Sequence, residues 1–153
     1  MSHSVGHVAI TVPDLQQAEA YYQALFEMES VTRERLGPDG DAQLPKDKDW
    51  ADALAAGVTI QMVALRVGDL VLALFDEASP MIRALDLPQY RPLFVGVEMP
   101  EAQIARVRER LRDKAWDDGS GGFRDRYGIG WQLSPKRTFL GSGDRGGTWL
   151  RTE

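Results

Sequence analysis

Few residues in this chain could do chemistry, and they are widely spaced. His7 lies in the alternating segment His7-Val8-Ala9-Ile10-Thr11-Val12, and the second histidine, His3, stands just before it near the N-terminus. An imidazole can move a proton near neutral pH or ligate a transition metal, although a lone histidine on a strand is also a common hydrogen-bonded core residue. Zinc, iron, nickel and manganese sites draw at least three donors from imidazole, carboxylate and thiolate. The chain has no cysteine, which removes thiolate sites, disulfides and a thiol nucleophile. Asp76, Glu77 and Glu98 are carboxylates that lie just past predicted strand ends. The sequence carries no phosphate-cradling Walker loop and no Gly-x-Ser-x-Gly elbow. Gly128-x-Gly130 follows a turn inside a hairpin and is a strand feature.

The elements that position these residues come in two similar sets. Residues 6–12 alternate as a strand does, with Val8, Ile10 and Val12 on one face and His7, Ala9 and Thr11 on the other. Asp14 is suited to cap the next helix, with Gln17 three residues on, and Ala18, Tyr21, Tyr22 and Leu25 form its apolar stripe. A second strand is expected over 29–36, a loop or lid over 37–49, and a short helix over 50–56 stopped by Gly57. Two strands follow at 58–67 and 70–75, joined by the tight turn Gly68-Asp69. Residues 76–90 connect the halves, punctuated by Pro80 and Pro88.

The pattern then recurs 85 residues on, with Pro92-Leu93-Phe94-Val95-Gly96-Val97 as the counterpart of His7–Val12. Pro100 opens a second helix with Ile104, Val107 and Leu111 on its stripe. A one-residue shift at the strand–helix corner aligns this stripe with Ala18, Tyr21 and Leu25. After Trp116 a glycine-rich turn over 118–122 leads to strands at 123–126 and 129–134 around Tyr127-Gly128. Thr148-Trp149-Leu150 has the character of an edge strand. Each half therefore offers a strand, a helix and further strands, and two such sheets bury their second faces by curling around a shared cleft.

Composition places limits on function. At 153 residues, with 43% hydrophobic and 27% charged residues, the chain has the length and make-up of one ordinary globular domain. No apolar run approaches the ~20 residues that span a bilayer, and the N-terminus lacks the regions of a signal peptide. The expected compartment is the cytoplasm. A net charge of −5 argues against nucleic acid as a partner. Arg106, Arg108, Arg110 and Arg112 are interleaved with Glu101, Glu109 and Asp113, as on a solvated helix face.

The element order, the segment from His7 to Leu15 and the following Ala20-Tyr21-Tyr22-Gln23-Ala24-Leu25-Phe26 resemble the vicinal oxygen chelate superfamily of glyoxalases, bleomycin- and fosfomycin-resistance proteins and extradiol dioxygenases. The closing stretch from Asp125 to Leu133 resembles its PhnB-like branch. The resemblance spans residues 5–135 and implies an α+β fold of two βαβββ modules, about 5–77 and 90–135, forming a curved mixed sheet around a cleft, with a tail over 136–153. It also implies dimerisation. Metal-dependent relatives take ligands from the first, fourth, fifth and eighth strands, and those positions fall on His7, Ala73, Pro92 and Gln132. One donor of the usual kind is left, so no cofactor is expected, and pairing the modules between two subunits does not change the set.

The resulting expectation is a glyoxalase-like protein that binds a small organic molecule in an apolar cleft without an intrinsic metal. His7, Thr11, Ala73, Phe75, Pro92, Phe94 and Gln132 would line that cleft, and His7 is the one candidate for acid–base catalysis. One alternative is a metal-dependent lyase or dioxygenase that recruits Glu77, Glu98 or Gln132 alongside His7. Another is a structural or regulatory dimer whose cleft is filled by its own side chains.

Overall fold

A computed structural model describes residues 3, 5–88, 91–111 and 122–136. The chain divides into two compact units, Met1–Tyr90 and Arg91–Glu153. The tail expected as an edge strand and most of the 118–122 turn lie outside the described residues.

The first unit opens with β1 (Val8–Val12) and α1 (Leu15–Phe26). As its spacing predicts, Asp14 caps α1, accepting from the Gln17 amide at 3.0 Å, which satisfies one of the helix's orphan donors. β2 (Glu29–Arg35), β3 (Ala42–Gln43), α2 (Trp50–Ala55), β4 (Met62–Val67) and β5 (Leu70–Asp76) follow. They form one sheet in the order β1-β5-β4-β2-β3. β1 pairs with β5 in parallel, and β4 and β2 continue antiparallel, with a bulge in β2 between Ser30 and Thr32. Gly68 takes φ 54 in the β4–β5 turn, a backbone that glycine adopts without steric cost.

One face of this sheet is covered by α1. Val12, Leu72, Leu74, Val63 and Leu65 are all buried beside Ala18, Tyr22, Leu25 and Phe26. At 25 cal/mol per Å² or so, each large side chain withdrawn from water in this layer favours folding by about 1.5–3 kcal/mol.

Several elements depart from expectation. β4 begins at Met62 and not at 58; just ahead of it the Gln61 amide still bonds the Glu34 carbonyl of β2 at 2.8 Å. The 37–49 loop contains the two-residue β3, and the connector contains α3 (Pro80–Ala84) with its proline in the first turn, where the missing N–H costs nothing.

The second unit contains β6 (Val95–Glu98), α4 (Glu101–Arg110), β7 (Gly122–Arg124) and β8 (Gly130–Ser134). Its sheet order is β6-β8-β7, with β6 parallel and β7 antiparallel to β8. This reproduces the β1-β5-β4 arrangement, so the repeat seen in the sequence is a structural repeat. A counterpart of β2 is not among the described residues. Ile104, Val107 and Leu111 are buried, as are Phe123, Trp131 and Leu133. β6 starts at Val95 and not at Pro92; a proline has no N–H to give a ladder. Instead the Pro92 carbonyl accepts from the Gly130 amide at 3.4 Å. The backbone comes so close here that a Cβ on Gly130 would lie 1.7 Å from the Leu93 carbonyl oxygen.

Candidate functional site

The ladder of the first unit fixes which side chains share the sheet face opposite α1. Ala9 pairs with Ala73, Ala73 with Ala64, and Ala64 with Thr32, and paired residues project to the same side of a sheet. The next row is Thr11, Phe75, Met62 and Glu34. On the other side, Val71 pairs with Arg66 and Arg66 with Glu29. His7 lies one residue ahead of β1, where extending the register by one step would set it beside Val71. Three alanines thus form a row of small side chains between two rows of larger ones.

Of these residues, His7 and Ala9 are exposed, Thr11, Phe75, Met62 and Ala64 are half-buried, and Ala73 is buried. The face offers apolar area, an imidazole, a threonine hydroxyl and, at its far edge, Glu34. Glu34 already accepts from Thr32 and Gln43. Met62 and Ala64 were not singled out from the sequence, yet the two-residue turn Gly68-Asp69 carries that information. A hairpin closed at Val67 and Leu70 must place Ala64 across from Ala73.

In the second unit Gly96 pairs with Gln132, Gln132 with Gly122, and Glu98 with Ser134. Gln132 and Ser134 therefore share a face with Gly96 and Glu98.

These registers offer a second alignment of the two halves. Ala73 faces Ala9 across its ladder, and Gln132 faces Gly96 across the other. If Ala73 and Gln132 are the equivalent fourth- and eighth-strand positions, Gly96 is the counterpart of Ala9, and Phe94 is the counterpart of His7. On this alignment Pro92 is two residues too early. Val12 then corresponds to Met99, both buried at 0% and 3%, and Pro13 corresponds to Pro100. Two alternating apolar segments align equally well after a slip of two residues, so the sequence by itself does not separate Pro92 from Phe94.

The ligand positions implied by the resemblance are His7, Ala73, Pro92 and Gln132, or on this second alignment Phe94 in place of Pro92, and proline offers no side-chain donor either. Alanine and phenylalanine have no donor atom, and a neutral amide oxygen is a poor ligand for the metals concerned. The set does not fit a tightly held divalent ion. Among the described residues, no group of three histidine or carboxylate side chains is placed to hold one.

Two further polar clusters are structural. Asp125 is buried and accepts from the Tyr127 and Ile129 amides and from the Trp131 indole at 2.8 Å, shaping the turn before β8. Glu19, on α1, accepts from Arg33, Ser30 and Trp50. Among the described residues no helix is long and apolar enough to cross a membrane.

No protein-family model matches the sequence, and no curated protein matches it either. Solved structures do match. FosX, a fosfomycin resistance protein of Listeria monocytogenes, solved as a mutant complexed with Mn(II) and 1S,2S-dihydroxypropylphosphonic acid, is 14% identical. Its TM-score is 0.55, with 90% of this chain and 96% of that one covered. FosX from Mesorhizobium loti is 15% identical, with a TM-score of 0.50 over 90% of this chain and 95% of that one. The oxidase ChaP-H2 is 13% identical, with a TM-score of 0.50 over 87% and 93%. With the strand order repeated in both units and these structures matched over most of their length, the chain has the fold of the vicinal oxygen chelate superfamily.

Proposed function

We propose that this protein binds a small, largely apolar organic molecule against the sheet face that carries His7, Ala9, Thr11, Ala64, Ala73 and Phe75, and that it does so without an intrinsic metal ion. The observation that carries this reading is the alanine row Ala9–Ala73–Ala64. Small side chains flanked by Phe75 and Met62 leave room for an apolar body, while His7 and Thr11 supply the few polar groups that orient a ligand. Gln132 and Phe94 are the corresponding groups of the second unit. The biological role is that of a sequestering or resistance-type binder, or of an accessory domain.

The four tryptophans provide a signal for titration against a panel of hydrophobic metabolites and antibiotics. A saturable binder is expected. The exposed Ala9, changed to Phe, fills the row and weakens that binder by about tenfold or more, the cost of losing roughly 1.4 kcal/mol, with the unfolding midpoint unchanged. A broad panel with no saturable binder, or full affinity in Ala9→Phe, would sink the proposal.

One observation favours a second reading, a metal-dependent lyase or dioxygenase: Glu98 shares the Gln132 face. Elemental analysis of protein purified without chelator separates the two. A stoichiometric transition metal that disappears in His7→Ala would establish the enzyme reading.

A further inference from the structure

The outer edge of β2 carries a cavity beyond the β2 end of the alanine row, where Thr32 and Arg66 join its lining and Ala9 and Ala73 do not. β3 covers only Glu34 and Arg35 of β2, and the Leu44 amide bonds the Arg33 carbonyl at 2.8 Å. The chain then turns at 45–48, with the Lys48 amide closing on the Pro45 carbonyl at 3.0 Å. This leaves a gap beside the bulge at Val31, which has no partner in the β4 register. The gap has a volume of about 320 Å³ and is lined by four cations, Arg33, Lys46, Lys48 and Arg66, against one carboxylate, Glu29.

The charges do not cancel. Arg66 pairs with Glu29 at 2.8 Å, and Arg33 pairs with Glu19 at 2.6 Å. Lys46 and Lys48 form no ion pair among the described residues. Asp47 stands between them in the chain but does not line the cavity, and the Asp49 carboxylate is taken up by the Asp52 amide. Two net positive charges therefore face one concave space in a chain whose net charge is −5. Cations gathered in a concavity attract an anion more strongly than the same charges spread over a convex surface.

We propose that this groove binds a small dianion of the phosphate monoester type. The volume is at the lower end of ligand pockets and leaves room for a short carbon chain beyond the phosphate. Lys46 and Lys48 would supply the ammonium donors, and Arg66 would supply a guanidinium that exchanges part of its contact with Glu29 for the ligand.

The test is an amide NMR titration of the full chain with glycerol 3-phosphate and, separately, inorganic phosphate. The expected result is a saturable response to glycerol 3-phosphate, with a dissociation constant of about 1 mM or below, centred on Val31, Leu44, Lys46, Lys48 and Arg66. Lys46→Glu combined with Lys48→Glu, both exposed and clear of any core, weakens it at least tenfold and leaves the remaining spectrum in place. Ala9→Phe leaves it unchanged, which separates this site from the one proposed above. The arginines of α4 (Arg106, Arg108 and Arg110) are an internal control, being equally basic. Equal shifts around them, no saturation, or undiminished binding by the double variant would overturn the proposal. So would equal affinity for inorganic phosphate, since the carbon chain would then have no place in the groove.

Discussion

Glu19 illustrates how one side chain ties three elements together. It is 3% exposed, and its carboxylate accepts from Arg33 Nη2 at 2.6 Å and Nε at 3.0 Å, from the Ser30 hydroxyl and from the Trp50 indole. Arg33 lies over the Trp50 ring at 5.9 Å, so α1, β2 and α2 meet at one charge. Removing one partner of a buried pair leaves the other unsatisfied, at a cost of about 3–5 kcal/mol. The Arg33 side chain is 21% exposed, so water recovers part of that. Glu19→Ala is expected to lower stability by about 2–3 kcal/mol in urea unfolding, and Glu19→Gln by less, because it keeps an acceptor. A loss below about 0.5 kcal/mol, the range of ordinary surface changes, would show that the cluster does not support the fold. None of this was legible in the sequence. A glutamate beside an apolar stripe reads as solvated, and its partners lie 11, 14 and 31 residues away.

At the scale of elements, caps and turns followed local chemistry while strand ends did not. α2 was expected from composition, and its capping box was not. The Asp49 carboxylate accepts from the Asp52 amide, and the Asp52 carboxylate accepts in turn from the Asp49 amide, both at 3.0 Å. The Asp52 amide is the main cause holding the Asp49 carboxyl below its ordinary value of 3.8, with the Ala51 amide adding to it. A carboxyl depressed by folding stabilises the folded state above its ordinary pKa, and that contribution disappears as pH falls through the folded value. α2 should therefore be intact at neutral pH and begin to fray only as pH drops below about 3.8. Chemical shifts of the Asp52 amide and the Trp50 indole, followed from pH 6 to pH 2 or so, would reveal this. An Asp49 midpoint at or above its ordinary value would contradict it. Strand limits, by contrast, depend on where the neighbouring strand stops offering bonds, and no local signal marks that point.

For the molecule as a whole, the repeat predicts a fold that does not depend on a metal. Each unit has its own helix-covered sheet, and Ala73, Phe94 and Gln132 offer no donor set that would link folding to an ion. Exhaustive chelation should leave the thermal midpoint unchanged, and so should added Mn²⁺ or Zn²⁺. A resident ion at a hundredfold excess over its dissociation constant would add about 2.7 kcal/mol. For a chain of this length, that is a rise of roughly 5–10 °C. A rise of that size, removed by chelator, would show that the donor chemistry had been misjudged.

Periodicity, caps and turn residues were enough to place the longer strands and helices and the helix faces, because each depends on neighbours a few positions apart; the short β3 and α3 escaped them. Pairing decided the rest. Only the ladders set Ala9 across from Ala73 and Gly96 across from Gln132. Only the folded edge of β2 brought Lys46 and Lys48 to Arg66. Register and charge clustering are settled by contacts between segments distant in the chain, and the order of residues along one strand contains no record of them.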